Sequence, residues 1–386
     1  MSRYPLLPGP EPEINRRGRY IPVSAPVFGR EEQENVRRCV ESGWISSRGA
    51  YLGEFERSFS SFCGTRYGIC CSSGTSALHL ALAGLRVGAG DEVIMPSFTM
   101  IATALAAVYQ GARPVFVDSE PDTGNIDPGK IERAVTRRTK AVICAHIYGH
   151  PCDMDPIMRI ARRRGLAVVE DAAESHGAEY KGRRVGSIGD AGAFSFYGNK
   201  IITTGEGGML VTNRLRLKER VGYLKNMAFC ARRHFWHREV GFNYRMSNIQ
   251  AAIGLAQVRR LEEFIARKRA IARLYGRLLA GIPGIVLPVE KPYARSVYWM
   301  YGIRVLREAG ITRDHLRRKL AATGIETRSF FIPLHLQPVF AGSRPARGGF
   351  PVAEALCSEG LYLPSGAGLT TAQVRIVADA VRKIVP

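Results

Sequence analysis

The sequence predicts an α/β protein, with a large domain built on a mainly parallel sheet between helices and a smaller C-terminal α/β domain. Three observations predict it. Short apolar runs, such as the one over residues 166–170, alternate with amphipathic helical stretches, as parallel strands buried on both faces do. Small, hydroxylated or acidic residues stand where those runs end, and open α/β sheets bind ligands at such carboxyl ends. The length, 386 residues, suits one main domain with a smaller companion. We expect an N-terminal arm over 1–25, the large domain over 26–265 and the small domain over 266–386.

Residues 30–42 carry Val36, Cys39 and Val40 at helical spacing, and 54–63 carry Phe55, Phe59 and Phe62 on one side of a second helix. Between them, 44–49 reads as a loop. A strand over 67–71 runs into Ser72-Ser73-Gly74-Thr75-Ser76 and then a helix over 77–85. Free N–H groups and the helix dipole at such a turn favour a phosphate. An ordinary N-cap needs one hydroxyl, whereas this turn offers four around a glycine. Strands are expected over 91–95, 114–118, 140–145 and 166–170. Helices are expected from the Phe98 loop to about 110, and over 131–138 and 155–165. The turn at Ser73, Phe98, His146 and Asp171 all fall at strand ends, which points them toward one cleft.

Strands over 187–196 and 208–212 flank Lys200, whose sequence neighbours are uncharged. In apolar surroundings an ammonium is disfavoured, so the amine becomes a nucleophile for an aldehyde. On its own the segment reads equally well as a tight turn around Gly205, Gly207 and Gly208 with a snorkelling lysine. An aromatic and histidine-rich stretch over 229–248 leads into one long amphipathic helix over 247–279. The remainder, 296–386, reads as strand, helix, strand, loop, helix.

The charge balance is strongly basic: 55 Lys and Arg against 34 Asp and Glu, a net charge of +21. The basic residues are spread along the chain and mixed with amphipathic patterns. That favours a positive field for a phosphorylated substrate over a nucleic-acid surface. No apolar run reaches the length of a membrane span. The polar, charged start of the chain lacks the apolar core of a signal peptide, so a cytoplasmic protein is expected. The eight cysteines show no CxxC pair and no zinc-type spacing, so they are expected as reduced core residues and no metal is expected.

A phosphate-binding turn, a lysine, a strand-end carboxylate and an aromatic wall are what pyridoxal phosphate requires. Ser73, Gly74, Thr75, Lys200, Asp171 and Phe98 supply them. Glu170-Asp171-Ala172-Ala173-Glu174-Ser175-His176-Gly177-Ala178, Ser195-Phe196-Tyr197-Gly198-Asn199-Lys200 and Thr204-Gly205-Glu206-Gly207-Gly208 resemble the DegT/DnrJ/EryC1/StrS family of nucleotide-sugar aminotransferases. The likeness runs from Ile21-Pro22-Val23 through His146-Ile147-Tyr148-Gly149-His150 and Gly241-Phe242-Asn243-Tyr244-Arg245-Met246-Ser247 to Pro333-Leu334-His335.

The resemblance implies a fold type I, aspartate aminotransferase-like enzyme using pyridoxal 5'-phosphate. Lys200 matches the Schiff-base lysine and Asp171 the acid at the pyridine nitrogen. Ser195, Gly74 and Thr75 match the phosphate cradle, with Ser73 beside them, and Phe98 matches the ring that stacks on the cofactor. Glu174 matches a cofactor contact that is glutamine in many members. Asn243 matches a residue reaching the neighbouring subunit's cofactor, which implies a homodimer with shared sites. Relatives with histidine in place of the lysine dehydrate deoxysugars, so Lys200 points to amination.

The implied chemistry takes the amino group from L-glutamate and gives it to a keto group of a nucleotide-linked deoxysugar. Lys200 acts as base and Asp171 keeps the ring nitrogen protonated. Within the family, the segments 44–49, 170–177 and 234–243 are most similar to enzymes that aminate C4 of GDP-4-keto-6-deoxymannose. The runner-up is amination at C3, or of a dTDP- or UDP-linked sugar. An alternative of another class is a binding protein on the same fold that has lost catalysis. Arg232, Arg233, His234, Trp236, His237 and Arg328 are candidates for the nucleotide, and Tyr148, Glu174 and His176 for the hexose.

Overall fold

The structure, a computed structural model, describes residues 20–230, 232–233, 235–342 and 348–386. Most of the expected arm and His234 therefore lie outside the described residues. The first half alternates helices α1 (Arg30–Ser42), α2 (Ala50–Cys63), α3 (Gly74–Gly84), α4 (Ala102–Tyr109), α5 (Pro128–Ala134) and α6 (Met154–Arg164) with strands. Those strands are β1 (Tyr67–Cys71), β2 (Glu92–Pro96), β3 (Arg113–Val117), β4 (Thr139–Ala145) and β5 (Ala167–Asp171). A short hairpin, β6 (Glu179–Tyr180) and β7 (Arg183–Arg184), precedes β8 (Ala191–Ser195) and β9 (Gly208–Thr212). These main strands form one sheet in the order β1-β9-β8-β5-β4-β2-β3. The β3-β2-β4-β5-β8 block is parallel throughout, and β9 runs antiparallel to both of its neighbours. Strands β2, β8 and β9 are buried along their whole length, which is why they read as solid apolar runs rather than alternating ones.

Helices α7 (Leu215–Lys225), α8 (Asn248–Arg259) and α9 (Leu261–Leu279) lead out of that sheet. The C-terminal part holds β10 (Ile285–Val286), β11 (Ala294–Arg295), β12 (Tyr301–Val305), α10 (Arg313–Ala322), β13 (Arg328–Ser329), α11 (Pro351–Glu359), β14 (Gly360–Leu363) and α12 (Thr371–Ile384). A four-stranded antiparallel sheet runs β10-β12-β14-β13, and β11 joins the hairpin strand β6. Phe264 and Ile265 of α9 belong to the core under the large sheet. Ile271, Ala272, Tyr275 and Leu279 of the same helix belong to the core under the small one. Among the described residues no helix is long and apolar enough to cross a membrane.

Four expectations are corrected. The single helix over 247–279 is two helices, broken at Arg260 (φ −104°, ψ 5°). Helix α5 stops at Ala134, four residues before the expected end, because Val135 turns extended. In α1 the buried side is Glu32, Asn35 and Cys39, while Val40 is exposed. The apolar spacing there reported a helix but not its inward face. The C-terminal part also contains α11 and β14 between the expected loop and the last helix. All eight cysteines are free and six are buried.

Candidate active site

Strand β1 delivers the chain to the N-terminus of α3. Ser73 caps that helix: its Oγ accepts from Ser76 N at 3.1 Å, and Ser73 N donates to Ser76 Oγ at 2.9 Å. Ser72 Oγ is 3.2 Å from Ser76 Oγ. Three of the four hydroxyls are thus tied into the cap. Thr75 stands outside it and lines a cavity of about 400 Å³ together with Ser73 and Gly74. Gly74 and Thr75 occupy the first turn, whose N–H groups have no helical carbonyl to meet. Gly74 is required by the end of β8: a Cβ on it would lie 2.7 Å from Ser195 Cβ. Ser195 lines the same cavity.

Asp171 ends β5 on the cavity wall. Thr103 Oγ1 donates to its Oδ2 at 2.7 Å and Ala173 N to its Oδ1 at 3.3 Å. Burial raises its pKa, and these two donors and the nearby Lys200 oppose the rise. Lys200 sits on the loop between β8 and β9, its N–H donating to Tyr197 O at 2.9 Å. Burial lowers its pKa, as expected, while Glu174 and Asp171 pull it back up. Those carboxylates come from the end of β5, so the uncharged sequence neighbourhood of Lys200 concealed them. Glu174 accepts from Tyr148 N at 2.9 Å. Burial pushes its carboxyl up to about 7, against the pull of Lys200 and of that N–H. Three ionisable groups therefore share one cavity, and burial works against the charged form of each.

The structure brings Ser73, Gly74, Thr75, His146, Asp171, Glu174, Ser195, Lys200 and Arg328 to this cavity. Phe98 lines a second, adjoining cavity instead, with Tyr148. From the Phe98 loop, Thr99, Met100 and Ala102 line the first cavity. Met100, not Phe98, is therefore the large apolar side chain that this loop brings to the first cavity. His176 is corrected as a hexose contact: it is fully buried among Phe59, Phe194 and Phe196. Burial there pulls its pKa down to about 3, so it is neutral.

Trp236 and His237 lie on an exposed loop away from the cavity. Arg233 stacks on the Trp236 ring at 4.2 Å, and His237 Nδ1 is 2.8 Å from Met227 O. Asn243 is exposed and accepts from Arg245 Nε at 2.9 Å. Sequence reasoning missed Thr103, Met100, Trp299, Phe331 and Tyr362. Thr103 was within reach of it, since it lies one turn after the Phe98 loop. The last three come from the C-terminal part, and no local signal ties them to Lys200.

The model of the DegT/DnrJ/EryC1/StrS aminotransferase family matches residues 26–382. The chain is 46% identical to a GDP-perosamine synthase of Caulobacter vibrioides, over 93% of this chain and 96% of that protein. It is 42% identical to a dTDP-3-amino-3,4,6-trideoxy-alpha-D-glucose transaminase of Streptomyces venezuelae, over 92% of each. Among solved structures, S. venezuelae DesV in complex with a ketimine intermediate superposes with a TM-score of 0.86 at 41% identity, covering 92% of this chain and 94% of that one. The chain belongs to the DegT/DnrJ/EryC1/StrS family and is a pyridoxal-phosphate-dependent sugar aminotransferase.

Proposed function

We propose that the chain transfers the amino group of L-glutamate to C4 of GDP-4-keto-6-deoxymannose, giving GDP-perosamine. The observation that carries the sugar is the likeness to GDP-perosamine synthase along nearly the whole of both chains. The residues present fit the cofactor. A helix N-terminus begins with a glycine whose Cβ would collide with Ser195, a buried carboxylate stands at a strand end, and a lysine lines the same cavity. When bound, pyridoxal phosphate supplies an aldehyde carbon for a lysine and a ring that accepts the electron pair left by proton removal.

In this reading Lys200 holds the cofactor and carries the proton, and its lowered pKa keeps a neutral amine accessible. Asp171, steadied by Thr103, would hold the protonated ring nitrogen. The N–H groups of Gly74 and Thr75 and the hydroxyls of Thr75 and Ser195 would take the phosphate, with Ser73 capping the helix beside them. Glu174 positions the Tyr148 turn and lends its carboxyl to the cavity. Arg328, on β13, offers a cation to the diphosphate or the donor's carboxylate, with its other side paired to Glu326 at 3.0 Å.

Asn243, Trp236 and His237 do not reach this chain's own cavity, so their proposed roles belong to a homodimer with shared sites. Residues 26–265 form the cofactor-binding unit and 266–386 the smaller unit, joined through α9. The test offers GDP-4-keto-6-deoxymannose and dTDP-4-keto-6-deoxyglucose with L-glutamate under matched conditions. A preference in kcat/KM for the GDP sugar and an amine at C4 by NMR are expected. A preference for the dTDP sugar, or an amine at C3, replaces the proposal with the chemistry of the Streptomyces relative.

A further inference from the structure

Lys200 Nζ lies 3.8 Å from the centroid of the Trp299 ring. Trp299 is almost fully buried and lines the same cavity as Lys200, Asp171 and Glu174. Its indole N–H donates to Asn199 O at 2.8 Å, so the ring is anchored to the residue just before the lysine it faces. The segment carrying Trp299 is in turn fixed to the large domain. Val297 N donates to Gly149 O at 3.0 Å and Ser296 Oγ to the same oxygen at 3.1 Å. Gly149 has φ +100°, and a Cβ on it would lie 2.7 Å from Trp299 N, so the two backbones meet with no side chain between them.

An aromatic face this close to an ammonium is attractive, most strongly for tryptophan and where water is excluded. The indole is therefore placed to favour the charged lysine, while burial favours the neutral one. The ionisable groups around Nζ are Asp171 and Glu174 from the end of β5, with His176 held neutral beyond them. Glu206, Arg328, His146, Tyr197 and Tyr362 stand on the same cavity.

We propose that Trp299 is a positioning residue for the reaction: its ring is the resting place of the Lys200 side chain whenever that amine is free, and it opposes in part the loss of the proton that burial favours. The inference rests on Lys200 being the residue that carries the cofactor. It also makes the C-terminal part of the chain a participant in the chemistry, since Trp299 reaches the lysine from the loop before β12.

The test mixes cofactor-free enzyme, prepared from the holoenzyme, rapidly with pyridoxal 5'-phosphate. The rate of aldehyde capture is followed by absorbance as a function of pH. Capture needs the neutral amine, so its midpoint reports the titration of the free lysine. In W299L the ammonium loses its aromatic partner. The midpoint is expected about one unit lower, with capture below the midpoint faster by up to about tenfold. W299F, which keeps a weaker ring, is expected between W299L and wild type. A purely structural role would change the melting temperature and leave the midpoint in place.

Borohydride reduction and peptide mass mapping identify the captured residue separately. Label elsewhere than Lys200 sinks the parent reading. Superposable pH profiles for wild type and W299L, with Lys200 labelled in both, overturn this inference alone. If W299L does not fold, W299F carries the decision: a downward shift supports the inference and a wild-type midpoint overturns it.

Discussion

Glu174 and Lys200 line one cavity, and burial works against the charge of each. For a carboxyl raised to about 7, the protonated form is the one the folded state prefers. Its contribution to stability is then fully present below the ordinary carboxylate range and is lost as pH rises through about 7. Glu174→Gln keeps the neutral shape and removes the titration. In cofactor-free protein, the melting temperature of E174Q should therefore gain on wild type as pH is raised from 5 to 8. The gain corresponds to on the order of 3 kcal/mol at the upper end. Parallel curves for the two proteins would show that Glu174 stays charged throughout. The identity of Glu174 was legible beside Asp171 in the sequence. Its effect on Lys200 was not, because the two meet only where the β5 end and the β8–β9 loop converge.

The N-terminus of helix α3 meets strands β8 and β9 through glycine. Gly74 faces Ser195, and a Cβ on Gly208 would lie 2.1 Å from Ser73 O. Gly74→Ala must push the helix N-terminus off the strand end, an overpacking that costs roughly 1–3 kcal/mol. The expected outcome is a 10- to 100-fold weaker affinity for pyridoxal 5'-phosphate, read by titrating the absorbance of the bound cofactor. Gly222 in α7 is the contrast, since a Cβ there meets nothing within 4 Å. Gly222→Ala should leave cofactor affinity unchanged and raise stability by about 0.5–1 kcal/mol through helix propensity. Equal cofactor affinities for G74A and G222A would remove the cradle from the argument. The misread element, the single helix over 247–279, has a reason at this scale too. Its apolar pattern is continuous and no glycine or proline marks Arg260, yet the two helices turn toward different neighbours: α8 packs on α1 and α2, and α9 on α12. A break forced by a change of packing partner leaves no local signature.

Across the whole molecule, the candidate cavity is not closed by its own chain. Met100 and Tyr197 line it beside Lys200 and are each 51% exposed, large apolar surface that a partner could cover. Asn243 is also exposed and outside the cavity. Both observations fit a second copy completing the site, as proposed above. Mixing Lys200→Ala with Asn243→Ala protomers should restore about a quarter to a half of wild-type turnover per heterodimer if each mutation cripples a different half-site. The check is activity of heterodimers isolated with two distinct affinity tags, with both parents inactive. No recovery would assign Asn243 to its own chain.

The sequence by itself determined the order of strands and helices from α1 to β5, because periodicity and turn residues are local properties. It determined the family as well, and with it Lys200, Asp171 and the turn at Ser73, since these stand in short continuous motifs at strand ends. Only the tertiary structure decided which side chains share the cavity. Met100 rather than Phe98 lines it, because neighbouring loop residues point to different sides and only packing chooses between them. His176 is withdrawn into a box of phenylalanines although its motif neighbours Asp171 and Glu174 line the cavity. Trp299 reaches Lys200 only because a bare glycine at 149 lets the two backbones meet. Contacts between residues so far apart along the chain come from how loops close over a sheet, and no spacing within the sequence encodes that closure.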